Sequence, residues 1–285
     1  MYSVINSECV EYMKTLEDNS IDCCITDPPY GMGMEHWDHS VPNVEVWKEV
    51  IRVLKPGGFC LSFCSPQLYH RMACAVEDAG FDIKDQIMWM ITTKMPKKNR
   101  LKQAHEPIVV AQKPFTGSIQ NNFDKWGVGK IDVENTRVPW DGKPPTGWVK
   151  DGHKRRTFGK NGKTTGTQKE FGKVDANPKG RYPSNIIGEV MPEHQKYFYA
   201  PRVTRKERGE YNDHPTPKPI SLMSYLVKVY CPEGCTVLDP FCGSGSTGIG
   251  AVLEGRDFIG VEMEQHYCDI SEKRIEEYIK KSLDT

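Results

Sequence analysis

The sequence predicts an α/β fold, a doubly wound and mostly parallel sheet broken by a basic, irregular insert. Three observations carry this. Short apolar runs alternate with amphipathic helix patterns from Val4 to Thr92, the pattern of parallel strands covered by helices. Regularity fails between Lys113 and about Lys196, where Gly, Lys, Pro, Thr and Asn dominate. It returns after His214-Pro215-Thr216-Pro217-Lys218-Pro219.

In order along the chain, Val4-Ile5 reads as a strand stub and Glu8 to Leu16 as helix-like. Ile21-Asp22-Cys23-Cys24-Ile25-Thr26 is an apolar run of strand length, and it stops at Asp27-Pro28-Pro29-Tyr30. Each proline fixes its own φ and pushes the residue before it into extended geometry, so Asp27 and Tyr30 are presented with little freedom. Such a loop suits a flat ligand. A carboxylate and a proline carbonyl can both accept from one NH2 group while the phenol covers the ring that carries it. Val44 to Leu54 is a helix with Val46, Trp47, Val50, Ile51, Val53 and Leu54 as its apolar positions. Lys55-Pro56-Gly57-Gly58 stops it and starts the strand Phe59 to Phe63. Leu68 to Ala79 is the next helix, ended by Gly80, and Ile83 to Ile91 and Pro107 to Ala111 read as two further strands. In sheets of this class ligands bind outside the carboxyl ends of the strands, where Asp27 to Tyr30 fall.

A loop run as long as the one that follows is functional or disordered when it occurs inside a compact domain. Basic residues interleave with aromatics in Trp148-Val149-Lys150-Asp151-Gly152-His153-Lys154-Arg155-Arg156, which suits phosphate contacts and base stacking. Trp148, Lys154, Arg155 and Arg156 are therefore candidate nucleic-acid contacts. The charge distribution agrees. Lys94 to Arg208 holds 25 Lys and Arg against 11 Asp and Glu, in a chain with 38 of each. A basic middle set in an acidic frame fits a polyanion that touches one segment.

No apolar stretch approaches the roughly 18–20 residues of a membrane span, and the N-terminus lacks a signal peptide's pattern. The expected location is cytoplasmic, without a membrane partner. The ten cysteines mostly lie in apolar strand or helix patterns, as reduced buried thiols do. Cys60-x3-Cys64 and Cys231-x3-Cys235 have no paired histidines nearby, so no metal is expected.

After Ile220 to Val229, a helix, Thr236-Val237-Leu238 is a strand ending in Asp239-Pro240-Phe241-Cys242-Gly243-Ser244-Gly245-Ser246-Thr247. The glycines open the helix Thr247 to Leu253, Gly255 closes it, and Phe258-Ile259-Gly260-Val261-Glu262 is a strand ending in an acid. This is a nucleotide-cofactor unit, in which glycines admit the ligand to the backbone and the acid takes a ribose diol. The third glycine of a dinucleotide loop and the Gly-Lys-Ser/Thr ending of a phosphate loop are both absent. An adenosine without phosphates fits better, which points to S-adenosylmethionine.

With both loops in hand, the chain resembles the S-adenosylmethionine-dependent DNA amino-methyltransferases, which act on N6 of adenine or N4 of cytosine. The catalytic loop precedes the cofactor loop with a basic insert between, as in their circularly permuted β group. The resemblance implies a permuted Rossmann-like methyltransferase fold in three parts. These are a catalytic half at 1–112, a target-recognition insert at 113–200 and a cofactor-binding half at 201–285. It also implies that Asp27, Pro28, Pro29 and Tyr30 form the catalytic loop, with a flipped-out base stacked on Tyr30. Asp27, Asp239, Pro240, Phe241, Gly243, Gly245 and Glu262 would meet the cofactor, with Glu262 on the ribose, while Thr216, Lys218 and Pro219 would line the methionine end. Ser7-Glu8-Cys9 stands where the family has Gly-Asp-Cys, so Glu8 and Cys9 are expected at the cofactor's adenine. His105-Glu106-Pro107 fits either a strand entry or the base pocket.

The activity implied is methyl transfer to the N6 amine of adenine in DNA, because Asp at the first loop position goes mostly with adenine and Ser with cytosine. The alternatives are N4-cytosine methylation, an RNA substrate and a catalytically silent DNA-binding relative. A homodimer and a partner restriction enzyme are both open.

Overall fold

The computed structural model describes residues 1–31, 33, 38–91, 98–99, 101–140, 177–188, 205–208 and 210–283. Trp148, Lys154, Arg155 and Arg156 lie outside them. The elements run β1 (Tyr2–Asn6), α1 (Cys9–Met13), β2 (Ile21–Thr26), α2 (Val44–Val53), β3 (Leu54–Phe63), α3 (Tyr69–Asp78), β4 (Asp82–Met90) and β5 (His105–Gln112). They continue with α4 (Ile119–Trp126), β6 (Ile186–Gly188), α5 (Arg205–Arg208), α6 (Ile220–Tyr230), β7 (Thr236–Asp239), α7 (Ser246–Leu253), β8 (Asp257–Glu262) and α8 (Gln265–Leu283).

These strands form one sheet in the order β1-β8-β7-β2-β3-β5-β4-β6. Five of its seven pairings are parallel, and the two made by β5, with β3 and with β4, are antiparallel. An apolar run carries no direction, so the sequence pattern locates β4 and β5 without fixing how they pair. β2 is buried along its whole length, as expected for a central strand covered on both faces.

Alternation divides the core. Cys23 and Ile25 of β2, with Phe59, Leu61 and Phe63 of β3, pack against Leu222 and Leu226 of α6 and Ile249 of α7. Cys24 and Cys60 point the other way, into a layer with Met13, Trp47, Val50 and Met72 from α1, α2 and α3. Two layers of helices thus sandwich the sheet. No helix among the described residues is long and apolar enough to cross a membrane.

Two differences from the sequence pattern stand out. The stretch after Lys113 is not wholly irregular, since it contains α4 and β6. α4 has few apolar residues, and its ends carry the signal instead: Ser118 Oγ accepts from Asn121 N at 3.1 Å, and Gly127 closes the helix at φ 75°. The second difference is α8, nineteen residues long. Its buried face includes Ser271 and Arg274 beside Ile270 and Ile275, so no clean apolar stripe marks it.

Candidate functional site

The ends of five strands and the start of a sixth converge on one cavity of about 740 Å³. Across the sheet, β1 brings Ser7 and Glu8, β8 brings Glu262, and β7 brings Asp239 to Ser244. β2 brings Asp27 to Tyr30, β3 leads to Ser65, and β5 brings Glu106, its second residue. The segment before α6 closes the cavity with His214, Thr216 and Lys218. Its size is that of a small-molecule site.

On the β7 side, Asp239 is buried and holds its loop from within. Thr26 Oγ1 and Phe241 N donate to its Oδ1 at 2.7 and 3.1 Å, and Thr247 Oγ1 donates to Oδ2 at 2.6 Å. Burial lifts its pKa to about 6, against the pull of those hydroxyl bonds. Gly243 and Gly245 have φ of 52° and 78°, left-handed values that favour glycine. A Cβ on Gly243 would come within 2.9 Å of His214 Nε2, and one on Gly245 within 2.2 Å of Ser271 Oγ. Arg274 of α8, almost fully buried, ties the turn down: its guanidinium donates to the Ser244 carbonyl, to Ser244 Oγ at 2.9 Å and to Ser246 Oγ at 3.3 Å.

Glu262, at the end of β8, accepts from Gly243 N at 2.8 Å through Oε2 and from Glu264 N at 2.9 Å through Oε1. Burial raises its pKa, and those backbone donors oppose the rise. Each oxygen keeps a lone pair for a further donor. Glu8 caps α1, accepting from Glu11 N at 2.9 Å, while the Cys9 thiol donates to Glu8 Oε1 at 3.2 Å. His214 packs edge-on to Tyr267 at 4.8 Å. Burial and the nearby Lys218 ammonium hold its pKa down to about 4.

On the β2 side, Tyr30 OH donates to Asp27 Oδ1 at 2.6 Å. Asp27 Oδ2 pairs with the Lys218 ammonium, which lies 3.8 Å from Glu106 Oε2. Burial raises the pKa of Asp27, with Lys218 pulling against it.

Of the residues expected at the site, Asp27, Pro28, Pro29, Tyr30, Glu8, Cys9, Thr216, Lys218, Asp239, Pro240, Phe241, Gly243 and Glu262 border the cavity. Two expected contacts do not. Pro219 is buried as the N-cap of α6, and Gly245 turns the chain into α7, so both shape the wall from behind. Lys218, expected at the methionine end, directs its ammonium to Asp27 and Glu106. The sequence pattern did not reveal Arg274, nor Glu207, whose carboxylate accepts from Ile220 N at the start of α6. Their partners are remote in sequence, and no motif marks them. Among the described residues, no group of three or more His, Cys, Asp or Glu is placed to hold a metal ion.

A mostly parallel sheet whose strand ends hold a glycine turn, an acid bonded to that turn and an Asp-Pro-Pro-Tyr loop has the layout of a nucleotide-cofactor enzyme of the α/β class. Residues 21–273 match the DNA methylase family, N6_N4_Mtase, and the chain belongs to it. It is similar to the type II methyltransferase M.HindIII of Haemophilus influenzae, at 26% identity over 95% of this chain and 94% of that protein. It is also similar to the type II methyltransferase M.ScaI of Streptomyces caespitosus, at 24% identity over 95% of this chain and 80% of that protein. Among solved structures, the M1.HpyAVI–SAM complex shares the fold with a TM-score of 0.55 and 22% identity, over 96% of this chain and all of that one. The cytosine-N4-specific PvuII DNA methyltransferase does so with a TM-score of 0.61 and 16% identity, over 98% and 90%. The protein is a DNA amino-methyltransferase, with S-adenosylmethionine as cofactor and DNA as substrate. The site suits that cofactor: an acid whose oxygens each keep a lone pair stands beside a glycine turn with left-handed φ at the cavity wall.

Proposed function

We propose that this protein methylates the exocyclic N6 amine of adenine in DNA, acting on a base flipped out of the helix. The carrying observation is the carboxylate of Asp27, held at the end of β2 in the wall of the cavity by Tyr30 and Lys218. An aromatic amine is a poor nucleophile because its lone pair is delocalised into the ring. With one N–H held by Asp27 and the other by the Pro28 carbonyl, the nitrogen pyramidalises and its lone pair is aimed. Both Asp27 oxygens are already engaged, yet each has a lone pair left for an N–H. Tyr30 covers the face of the base. S-adenosylmethionine, when bound, would supply a methyl group on a sulfonium whose sulfur leaves as a neutral thioether, so transfer to nitrogen needs no covalent enzyme intermediate, and the surplus proton on the methylated nitrogen is acidic enough to be lost afterwards. Glu262 would take its ribose hydroxyls, Phe241 and Gly243 would flank it, and Glu8 would face its adenine.

Residues 113–200 are read as the target-recognition insert, with Trp148, Lys154, Arg155 and Arg156 on the DNA, between catalytic and cofactor-binding halves at 1–112 and 201–285. Asp at position 27 favours adenine. The cytosine-N4 enzyme among the similar folds motivates the second reading, N4-cytosine. Mass spectrometry of nucleosides from DNA methylated by the protein decides between them. N6-methyladenine is expected, and N4-methylcytosine as the main product overturns the assignment.

A further inference from the structure

We propose that Lys218 and Glu106 are positioning residues for Asp27, an ammonium set between two carboxylates so that Asp27 stays a pure acceptor facing the target amine. The proposal rests on the reading of Asp27 as the group that holds that amine.

The geometry brings three charged groups from three distant segments into one dry corner. Lys218 comes from the segment before α6, Asp27 from the end of β2 and Glu106 from the start of β5. The lysine side chain is only 7% exposed. Its ammonium lies 5.5 and 5.1 Å from the ring centroids of Tyr30 and Phe63, so aromatic faces replace much of its water. Held there, it faces the carboxylates of Asp27 and Glu106.

A single cation shared by two carboxylates has a chemical consequence. Without the ammonium, two carboxylates in one desolvated site would repel, and one of them would take up a proton. A protonated Asp27 would present an O–H to an amine that is itself a donor and would lose part of its capacity to accept. Asp27 faces Lys218, Glu106 and Tyr30 directly, with Cys64 and Asp239 near enough to feel its charge. Burial is the largest influence and raises the pKa of Asp27; Lys218 lowers it, and Glu106 raises it. Lys218 in turn keeps its proton, because both carboxylates outweigh its own burial. The two neighbours therefore push Asp27 in opposite directions, which a merely structural role or a cofactor contact would not do.

The test is the single-turnover methyl-transfer rate as a function of pH, at saturating S-adenosylmethionine and DNA, in Lys218→Met, Lys218→Arg and Glu106→Gln. Calorimetry gives the cofactor dissociation constant of each, and Asp27→Ala serves as reference. The acid limb of the profile is expected to move to higher pH by about 1 unit or more in Lys218→Met. It is expected to move to lower pH in Glu106→Gln and to return near its original place in Lys218→Arg, with cofactor affinity within a few-fold throughout. Glu106→Gln is isosteric and decides the matter alone if Lys218→Met fails to fold. Acid limbs that stay in place, or a Lys218→Met profile that is unshifted while cofactor binding weakens tenfold, overturn the proposal. An Asp27→Ala protein with normal turnover would bring down the reading of Asp27 itself; an inactive Asp27→Ala with unshifted limbs brings down only the roles of Lys218 and Glu106.

Discussion

The carboxylate of Glu262 accepts the backbone N–H of Gly243 at 2.8 Å, so the acid at the end of β8 and the glycine turn after β7 form one rigid corner. Glu262→Ala is expected to weaken S-adenosylmethionine binding by tenfold or more, about 1.4 kcal/mol. Turnover is partly recovered at saturating cofactor, since ribose contacts are equal in ground and transition states. Calorimetry checks the first part and steady-state kinetics the second. An unchanged dissociation constant would leave Glu262 as a fastener of the turn alone.

Asp27→Ala is expected to show the reverse pattern. Methyl transfer falls by about a hundred- to thousand-fold, the typical loss of one preorganised electrostatic partner, while cofactor binding stays within a few-fold. Near-normal turnover in a radiolabel transfer assay would remove Asp27 from the mechanism.

Asp239 gives a pH dependence of stability. Its pKa is raised to about 6 in the folded protein, above the ordinary aspartate value, so the folded state binds more protons than the unfolded state between about 4 and 6. Stability contributed by this group is therefore present below that window and is lost as pH rises through it. Asp239→Asn keeps an acceptor for Thr26 and Phe241 and carries no charge. Relative to this variant, the wild type is expected to lose on the order of 2–3 kcal/mol between pH 4 and pH 7. Urea melts of both proteins across that range measure the difference, and parallel curves would mean that Asp239 titrates normally.

Replacing Lys154, Arg155 and Arg156 together by Gln is expected to weaken DNA binding and to flatten its salt dependence by roughly one log-log unit per lost phosphate contact, with no change in cofactor affinity. Fluorescence anisotropy over a salt series reads the slope. A slope equal to that of the wild type would move the DNA path elsewhere.

What the sequence made legible was local. The loop after β2 and the turn after β7 are written in proline, glycine and acid at fixed spacing, and their strands in short apolar runs, so the sequence itself marks both ends of the cavity. The contacts that finish the site are remote. Lys218 meets Asp27 across 191 positions and Arg274 meets Ser244 across 30, and neither pairing leaves a periodic trace. The resemblance places Lys218 at the cofactor, and nothing in the local pattern announces that its ammonium pairs with Asp27 and lies 3.8 Å from Glu106. α8 escaped notice for a related reason: it buries an arginine and a serine where a stripe would have aliphatic residues.

The central position of β2 also shapes how the protein is made. One of its edges pairs with β3, the next strand in sequence, and the other with β7. Thr26 and its partner Asp239 are 213 residues apart. During synthesis, at roughly 5–20 residues per second, the β7-facing edge waits on the order of ten to forty seconds for its partner. An unpaired edge of buried Cys and Ile residues is a template for wrong pairing, so the strand that carries Asp27 to the cavity is exposed to mispairing until β7 has been made.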